Sequence, residues 1–436
     1  MSPEHRSYII TTLERYWPTN RQIIENLPIH HQNIPEDEDL PPKGVSIQIP
    51  DWAEDVAIDG GLLVPHWAAE RELKSWEKID WIAVCFWYLN NLSERAYEEK
   101  YGPIHSYSFR LKGWDKRFWE RAWVNRIALF LRLWAAQLAQ RPEGELFGKL
   151  PEPEILITHD VDAITKTNAI RIKQTVFHSF NALRLLLKGE FRQSIRRGGK
   201  ALRFLFSQDN YWCFDKILEL EEKNGIKTMF NFYGGKPGNS RNIKEQILDP
   251  AYNVHSPALK KQIKKMHING WGIGLHQSFD AWKDKDRMKS EKKNLEKALG
   301  DAVTTCRQHW LRFSFNDTWK VQQDIGFKQD TTLGFNDRPG FRNASAVNYF
   351  PWDKKSDKPM QIEVIPMMLM DSHIYDYAHI DEKNIFNEID KWIDEVKTVC
   401  GQISVVWHQR VMSDDYGWRN GFEYLIKTHK MSNYSS

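Results

Sequence analysis

Cysteine is scarce in this chain of 436 residues. There are four, Cys85, Cys213, Cys306 and Cys400, and no two form a CxxC pair. That spacing argues against a zinc ribbon or a disulfide scaffold and suits reduced thiols inside a cell. Long apolar runs are missing too: none approaches the ~18 residues of a membrane-spanning helix. The opening "MSPEHRSYIITTLERYW" has neither the basic start nor the apolar core of a secretory signal. A cytoplasmic protein is therefore expected. Net charge is low, +3 over the whole chain, so nothing global argues for a nucleic-acid partner. Internal repeats and low-complexity tracts are absent. What is present, 41% hydrophobic and 27% charged residues, fits a globular enzyme of one large domain plus an accessory region.

Residues 1–150 read as that accessory region. "NIPEDEDLPPKG" is an acidic, Pro-rich loop or linker, whereas "WIAVCFWYLNN" and "RFWERAWVNRIALFLRLWAAQLAQ" read as apolar helices. Ten of the 19 tryptophans lie before residue 150, and filling a core is their first expected role. "RPEGELFGKLPEPE" (141–154) is the junction with a second region, 151–436.

From residue 155 onward short β-rich runs alternate with helical patterns. The runs are 155–158, 227–233, 271–275, 303–313, 327–333, 362–370 and 402–407. Several of the intervening helices end in Gly, which tolerates a left-handed closing turn. Such alternation implies βα units, hence an α/β protein with a mainly parallel sheet or barrel. Ionisable groups collect where strands end. His159, Asp160 and Asp162 follow the first run and His276 the third; Arg307, His309 and Arg312 lie in the fourth. Asp371 follows the sixth and His408 the seventh. In βα barrels catalytic groups gather at the C-terminal ends of strands.

Asp160 and Asp162, at i and i+2 on an extended stretch, point to the same side. Two carboxylates so close repel each other unless a cation, a shared proton or a substrate compensates them. A solvated turn can also carry Asp-x-Asp, but carboxylates joined by imidazoles suit a zinc-like ion. Asp280 lies four residues beyond His276, within reach of the same place. A strand histidine such as His309, between Gln308 and Trp310, can equally be a core residue. His408 is the candidate general acid, with Asp371 placed to orient it.

Taken together, "LITHDVD", "WGIGLHQSFDAW", "RQHWLRF", "QDTTLGFNDRPGFRNA" and "SVVWHQ" resemble the polysaccharide deacetylases of carbohydrate esterase family four. They look most like a bacterial branch with a His-Asp-Val-Asp first motif, associated with surface-polysaccharide or lipopolysaccharide biosynthesis. The resemblance covers about residues 153–430, and the segment from Ser93 to Trp134 looks like that branch's N-terminal extension. It implies a distorted (β/α) barrel of about seven strands with a mostly helical N-terminal extension. It further implies a metal-dependent hydrolase removing an N-acetyl or similar acyl group from a sugar. Asp160 would be the general base, Asp162 and His276 metal ligands, Arg312 the partner of the base, and Asp371 the residue orienting His408, the proton donor. Zinc is the expected ion, with cobalt or nickel as substitutes. His159, Arg307, Arg338 and Arg342 are the expected substrate-facing side chains.

Three departures from the family pattern matter. Val161 separates the two aspartates, Asp280 stands at the second histidine of motif two, and no proline follows Arg312. The third metal ligand is thus His309, Asp280 or water. A non-catalytic glycan-binding protein of the same fold is the competing reading. A glycosyltransferase using Asp-x-Asp is weaker, because His276 and His408 would have no task.

Between the first two strands, residues 165–209 hold ten Lys/Arg against two Asp/Glu, in a stretch far longer than an ordinary βα connection. Across 176–206 Phe and Leu mix with Arg and Lys, as in helices that lie on membrane surfaces. One expectation is a helical insert with a solvated basic face. The other is peripheral contact with anionic lipid, on the inner face of the membrane, or with a lipid-linked substrate.

Overall fold

The computed structural model describes residues 1–35, 39–69, 75–377 and 384–434; positions 36–38, the middle of the expected acidic linker, lie outside them. Eight strands carry the βα alternation: β1 (Glu154–Val161), β2 (Met229–Tyr233), β3 (Gly272–Gln277), β4 (Thr305–Gln308), β5 (Gln329–Asp330), β6 (Glu363–Val364), β7 (Met367–Met370) and β8 (Gln402–Val406). Each of the seven β-rich runs contains a strand. The sixth contains two, interrupted at Ile365 and Pro366, because proline has no N–H to give a ladder. The fourth run stops being a strand at Gln308, since Trp310 and Leu311 adopt φ of +57° and +48°. The chain divides into two compact units, Met1–Leu156 with Thr304–Val405, and Ile157–Val303 with Val406–Ser436.

In the first unit β4, β5 and β6 pair in parallel, with Gln329 opposite both Thr305 and Glu363. The unit's helical core is built from the apolar segments expected in the first 150 residues. All nine residues of the helix Trp81–Leu89 are buried, and the Asp80 carboxylate caps it by accepting from Ala83 N at 3.0 Å, worth about 1 kcal/mol. In the helix Trp123–Ala139, Trp134 and Phe130 pack around Trp76, which stands edge-on to both. Its two buried arginines are neutralised in place. Arg126 makes a bidentate pair with Glu395, at 2.9 and 2.7 Å, and Arg132 meets Glu143 at 2.9 Å. Buried charges persist only when paired in this way. An antiparallel hairpin, Gly44–Gln48 with Gly61–Pro65, adds β structure to a region expected to be mostly helical.

In the second unit β1, β2 and β3 run parallel, and β2 and β3 are buried along their whole length. This is why they read as continuous apolar runs rather than alternating ones. Helices Phe214–Lys223, Pro257–Ile268 and Lys285–Leu299 alternate with these strands. The last ends on Gly300 at φ +89°, the left-handed closing turn. In the first unit the helix Ile385–Thr398 closes differently: Cys400, not Gly401, takes the positive φ of +50°. Gly401 is needed for closeness, since a Cβ there would meet Ala346 Cβ at 2.7 Å. The basic segment forms two helices, α1 (Asn168–Leu187) and α2 (Phe191–Phe206), turning at Gly189. Among the described residues, no helix is long and apolar enough to cross a membrane.

Candidate active site

The site grows from the register of β1 to β3. Asp160, Asn231 and Gly274 stand side by side, and Tyr233 is opposite His276 in the row beyond. Asp160 is buried and accepts from Asn231 Nδ2 at 2.9 Å. Asn231 is the polar member of "MFNFY", a strand otherwise committed to apolar packing, so its amide serves the carboxylate rather than the core.

Asp162 sits just past the end of β1, with its side chain 15% exposed, and is the hub of the second unit's cluster. Its Oδ1 lies 3.1 Å from His276 Nε2, its Oδ2 lies 3.5 Å from His408 Nε2, and Arg410 forms an ion pair with the same Oδ2. Burial works against the Arg410 charge, but the Asp162 carboxylate outweighs it and keeps the guanidinium protonated beyond the ordinary arginine range. Arg410 Nε also donates to the Tyr416 hydroxyl at 3.0 Å. Below them Tyr252 accepts from Tyr233 N at 2.6 Å, and burial drives its ionisation well above the usual tyrosine range.

His276 is held by the segment that follows it. Ser278 N donates to Glu291 Oε2 at 3.0 Å, and the Ser278 hydroxyl bonds the other oxygen. Burial raises the Glu291 carboxyl to about 7 despite these bonds. His159, fully buried, lies in a separate network: Nδ1 meets Trp407 O at 2.6 Å and Nε2 meets Glu221 Oε1 at 2.8 Å. Thr228 and Trp271 donate to Glu221, at 2.8 and 2.6 Å, so a hydroxyl, an indole N–H and the imidazole converge on one buried carboxyl group. Asp280 faces outward and pairs with Lys244 at 2.5 Å.

The remaining expected site residues belong to the first unit. His309, buried, begins the turn after β4. Arg307 is fully buried and donates to Thr331 Oγ1 at 3.1 Å. Arg312 donates to His105 Nε2 at 3.1 Å, and burial together with that cation lowers His105 to about 4. Asp371 is fully buried after β7. Arg342 makes a buried bidentate pair with Glu94, and Arg338 lies over the Trp119 ring at 5.2 Å.

The structure therefore brings Asp160, Asp162, His276 and His408 together in one unit and adds Asn231 and Arg410, which the sequence reading did not single out. Both left a trace: an Asn inside an all-apolar strand, and an Arg two residues beyond His408. Asp162 Oδ1 and His276 Nε2 fit a divalent ion chemically. With bonds of about 2.0–2.2 Å, two ligands of a tetrahedral ion stand about 3.3 Å apart, close to the separation seen.

No protein-family model matches the chain, and no curated protein sequence does. Solved structures similar to it include Puue allantoinase, at 12% identity over 66% of this chain and 92% of that one, with a TM-score of 0.40. The polysaccharide deacetylase Bc1974 from Bacillus cereus is 10% identical over 65% of this chain and 93% of its own, with a TM-score of 0.30. BA3943 from Bacillus anthracis, described as a pseudoenzyme of carbohydrate esterase family four, is 11% identical over 64% and 63%, with a TM-score of 0.29. Likeness at this level does not choose among these activities, so the functional reading rests on the side chains themselves.

Proposed function

We propose that this protein is a metal-dependent hydrolase that removes an N-acetyl or similar acyl group from a sugar in bacterial surface-polysaccharide or lipopolysaccharide biosynthesis. The observation that carries the reading is one carboxylate, Asp162, shared by His276 at 3.1 Å and His408 at 3.5 Å. A second carboxylate, Asp160, two residues before Asp162, is oriented by Asn231. Asp162 and His276 would hold the metal, with the third position going to His309, Asp280 or water. Zinc is the proposed ion. A divalent ion bound there supplies carbonyl polarisation and a lowered pKa for water.

This chain's residues then move the protons. Asp160 takes the proton of the attacking water as its oxygen bonds to the acyl carbon, and His408 gives a proton to the sugar nitrogen as the C–N bond breaks. Acetate and a free amine leave. The family resemblance supplies the two remaining roles of this proposal, Arg312 as partner of the base and Asp371 as the residue orienting His408. In this reading residues 1–150 are the accessory region and 151–436 the deacetylase region. The protein works in the cytoplasm on an acetylated sugar or glycan.

The test is metal content by elemental mass spectrometry, wild type beside His276→Ala, with thermal melts confirming that both fold. Near-stoichiometric zinc, cobalt or nickel that falls in the variant, together with acetate release from acetylated sugars, supports the enzyme. One observation favours a second reading, a non-catalytic glycan-binding protein: Arg410 gives Asp162 a counter-charge from within the chain. In that case no metal is retained after reconstitution, and glycan binding survives His276→Ala.

A further inference from the structure

α1 and α2 form an antiparallel hairpin that turns very little of its surface inward. Its buried residues are His178 and Leu185 on α1, and Ser194, Ala201 and Phe204 on α2. The hairpin is nevertheless held in one arrangement. Ser194 Oγ donates to Ala182 O at 2.8 Å, the Phe204 ring stacks on His178 at 5.3 Å, and Gln174 reaches the Tyr416 hydroxyl at 3.4 Å. Arg171 donates to carbonyls at the far end of α2, among them Ser207 O at 3.0 Å.

The opposite side is apolar and faces solvent. On α1, Ile172, Val176, Phe180, Leu183 and Leu187 follow one another at intervals of four or three residues, so they form one stripe along the helix, and all are exposed. On α2, Phe191, Ile195, Leu202 and Phe206 form a second stripe, also exposed, with Gly198 and Gly199 filling its middle. Leu187 and Ile195 keep 80% and 76% of their surface in water. Soluble proteins rarely leave so continuous an apolar area uncovered. Exposed cations flank these stripes: Arg184 near the end of α1 with Lys188 just beyond it, and Arg192, Arg196 and Arg203 on α2. Within 168–206 there are nine Lys/Arg and a single acid, Glu190.

We infer that this hairpin docks in the interfacial layer of an anionic bilayer, its apolar stripes among the acyl chains and its flanking cations at the lipid phosphates. The arrangement is that of helices lying in the membrane plane: an apolar face about 5–10 Å deep in the headgroup boundary, with long basic side chains extending to the phosphates. Charge complementarity selects this occupant. A second copy would cover the same stripes only by bringing two strongly cationic hairpins together, whereas an anionic surface attracts each cation. The inference stands apart from the catalytic reading, because it uses none of that site's residues.

The test is flotation of the full chain with vesicles of equal parts phosphatidylcholine and phosphatidylglycerol, against phosphatidylcholine alone. Wild type is expected to float with the anionic vesicles and to lose at least about tenfold in bound fraction on the neutral ones. Two variants change only exposed side chains. One combines Phe180→Ser, Leu187→Ser, Ile195→Ser and Phe206→Ser; the other combines Arg192→Glu, Arg196→Glu and Arg203→Glu. Each is expected to lose about tenfold or more of the binding while keeping the wild-type melt. Flotation equal across wild type and both variants overturns the inference, as does wild type that binds neither vesicle. A concentration-dependent dimer that the serine variant dissolves, without vesicle binding, overturns it in favour of a second copy.

Discussion

At the scale of single residues, the site depends on how three side chains divide the charge of Asp162. Arg410 and His408 both face Oδ2, while His276 faces Oδ1. Replacing Arg410 by Met leaves that carboxylate without its strong counter-charge, an arrangement that costs several kcal/mol in a buried pair and less here, where Asp162 is partly exposed. The metal-free variant should lose about 1–3 kcal/mol, and zinc should restore most of it and bind more tightly than in wild type. Melts with and without zinc and a chelator-competition titration measure both effects. Asn231 offers a second test. Its amide donates to the Asp160 carboxyl group and so fixes its orientation. In Asn231→Ala kcat should fall about tenfold or more while KM changes little. An unchanged kcat would mean that the amide serves packing only.

At the scale of elements, β3 and the helix Lys285–Leu299 are joined through Ser278 and Glu291. Burial raises the Glu291 carboxyl from 4.5 to about 7. A carboxyl whose folded pKa is raised stabilises the fold fully below its unfolded value, and that contribution disappears as pH climbs through the folded value. Wild type should therefore weaken between about pH 4.5 and 7 relative to Glu291→Gln, by an amount on the order of a few kcal/mol by pH 8. Paired thermal melts across this range read the difference, and parallel curves would exclude a buried titrating carboxyl. Elements are also where the sequence was most informative. All seven β-rich runs contain strands; β7 and β8 stand out as largely apolar runs, whereas β4 (Thr305–Gln308) and β5 (Gln329–Asp330) are polar and were marked by their place in the alternation with helices. The hairpin 44–48/61–65 escaped notice because its strands are five residues long and lie among many short helical turns. The early end of β4 was equally hidden, since the left-handed backbone at Trp310 and Leu311 has no glycine to announce it. Asp160, Asp162, His276 and His408 were legible because ionisable groups at strand ends are conspicuous. Arg410 was not, because its role exists only through a carboxylate 248 positions away in the chain.

At the scale of the whole molecule, the modest net charge of +3 conceals a separation of charge. The hairpin carries nine Lys/Arg against one Glu, so the remainder of the chain is acidic. The hairpin is also an excursion whose ends meet: Lys166 Nζ donates to Ser207 O at 3.3 Å, across the feet of α1 and α2. Only five of its side chains are buried, so its removal forfeits little core. Replacing 168–206 by a short Gly-Ser turn should leave a cooperative melt within a few degrees of wild type, because loop closure changes only slowly with length. The shortened protein should move from cation to anion exchanger at neutral pH, its net charge having changed sign. If zinc content also persists, the second unit holds its site without the insert, and catalysis and membrane docking are separable functions of one chain. If the melt collapses instead, Arg171, Gln174 and Phe204 support the Tyr416–Arg410 side of the site, and the insert is part of the catalytic architecture.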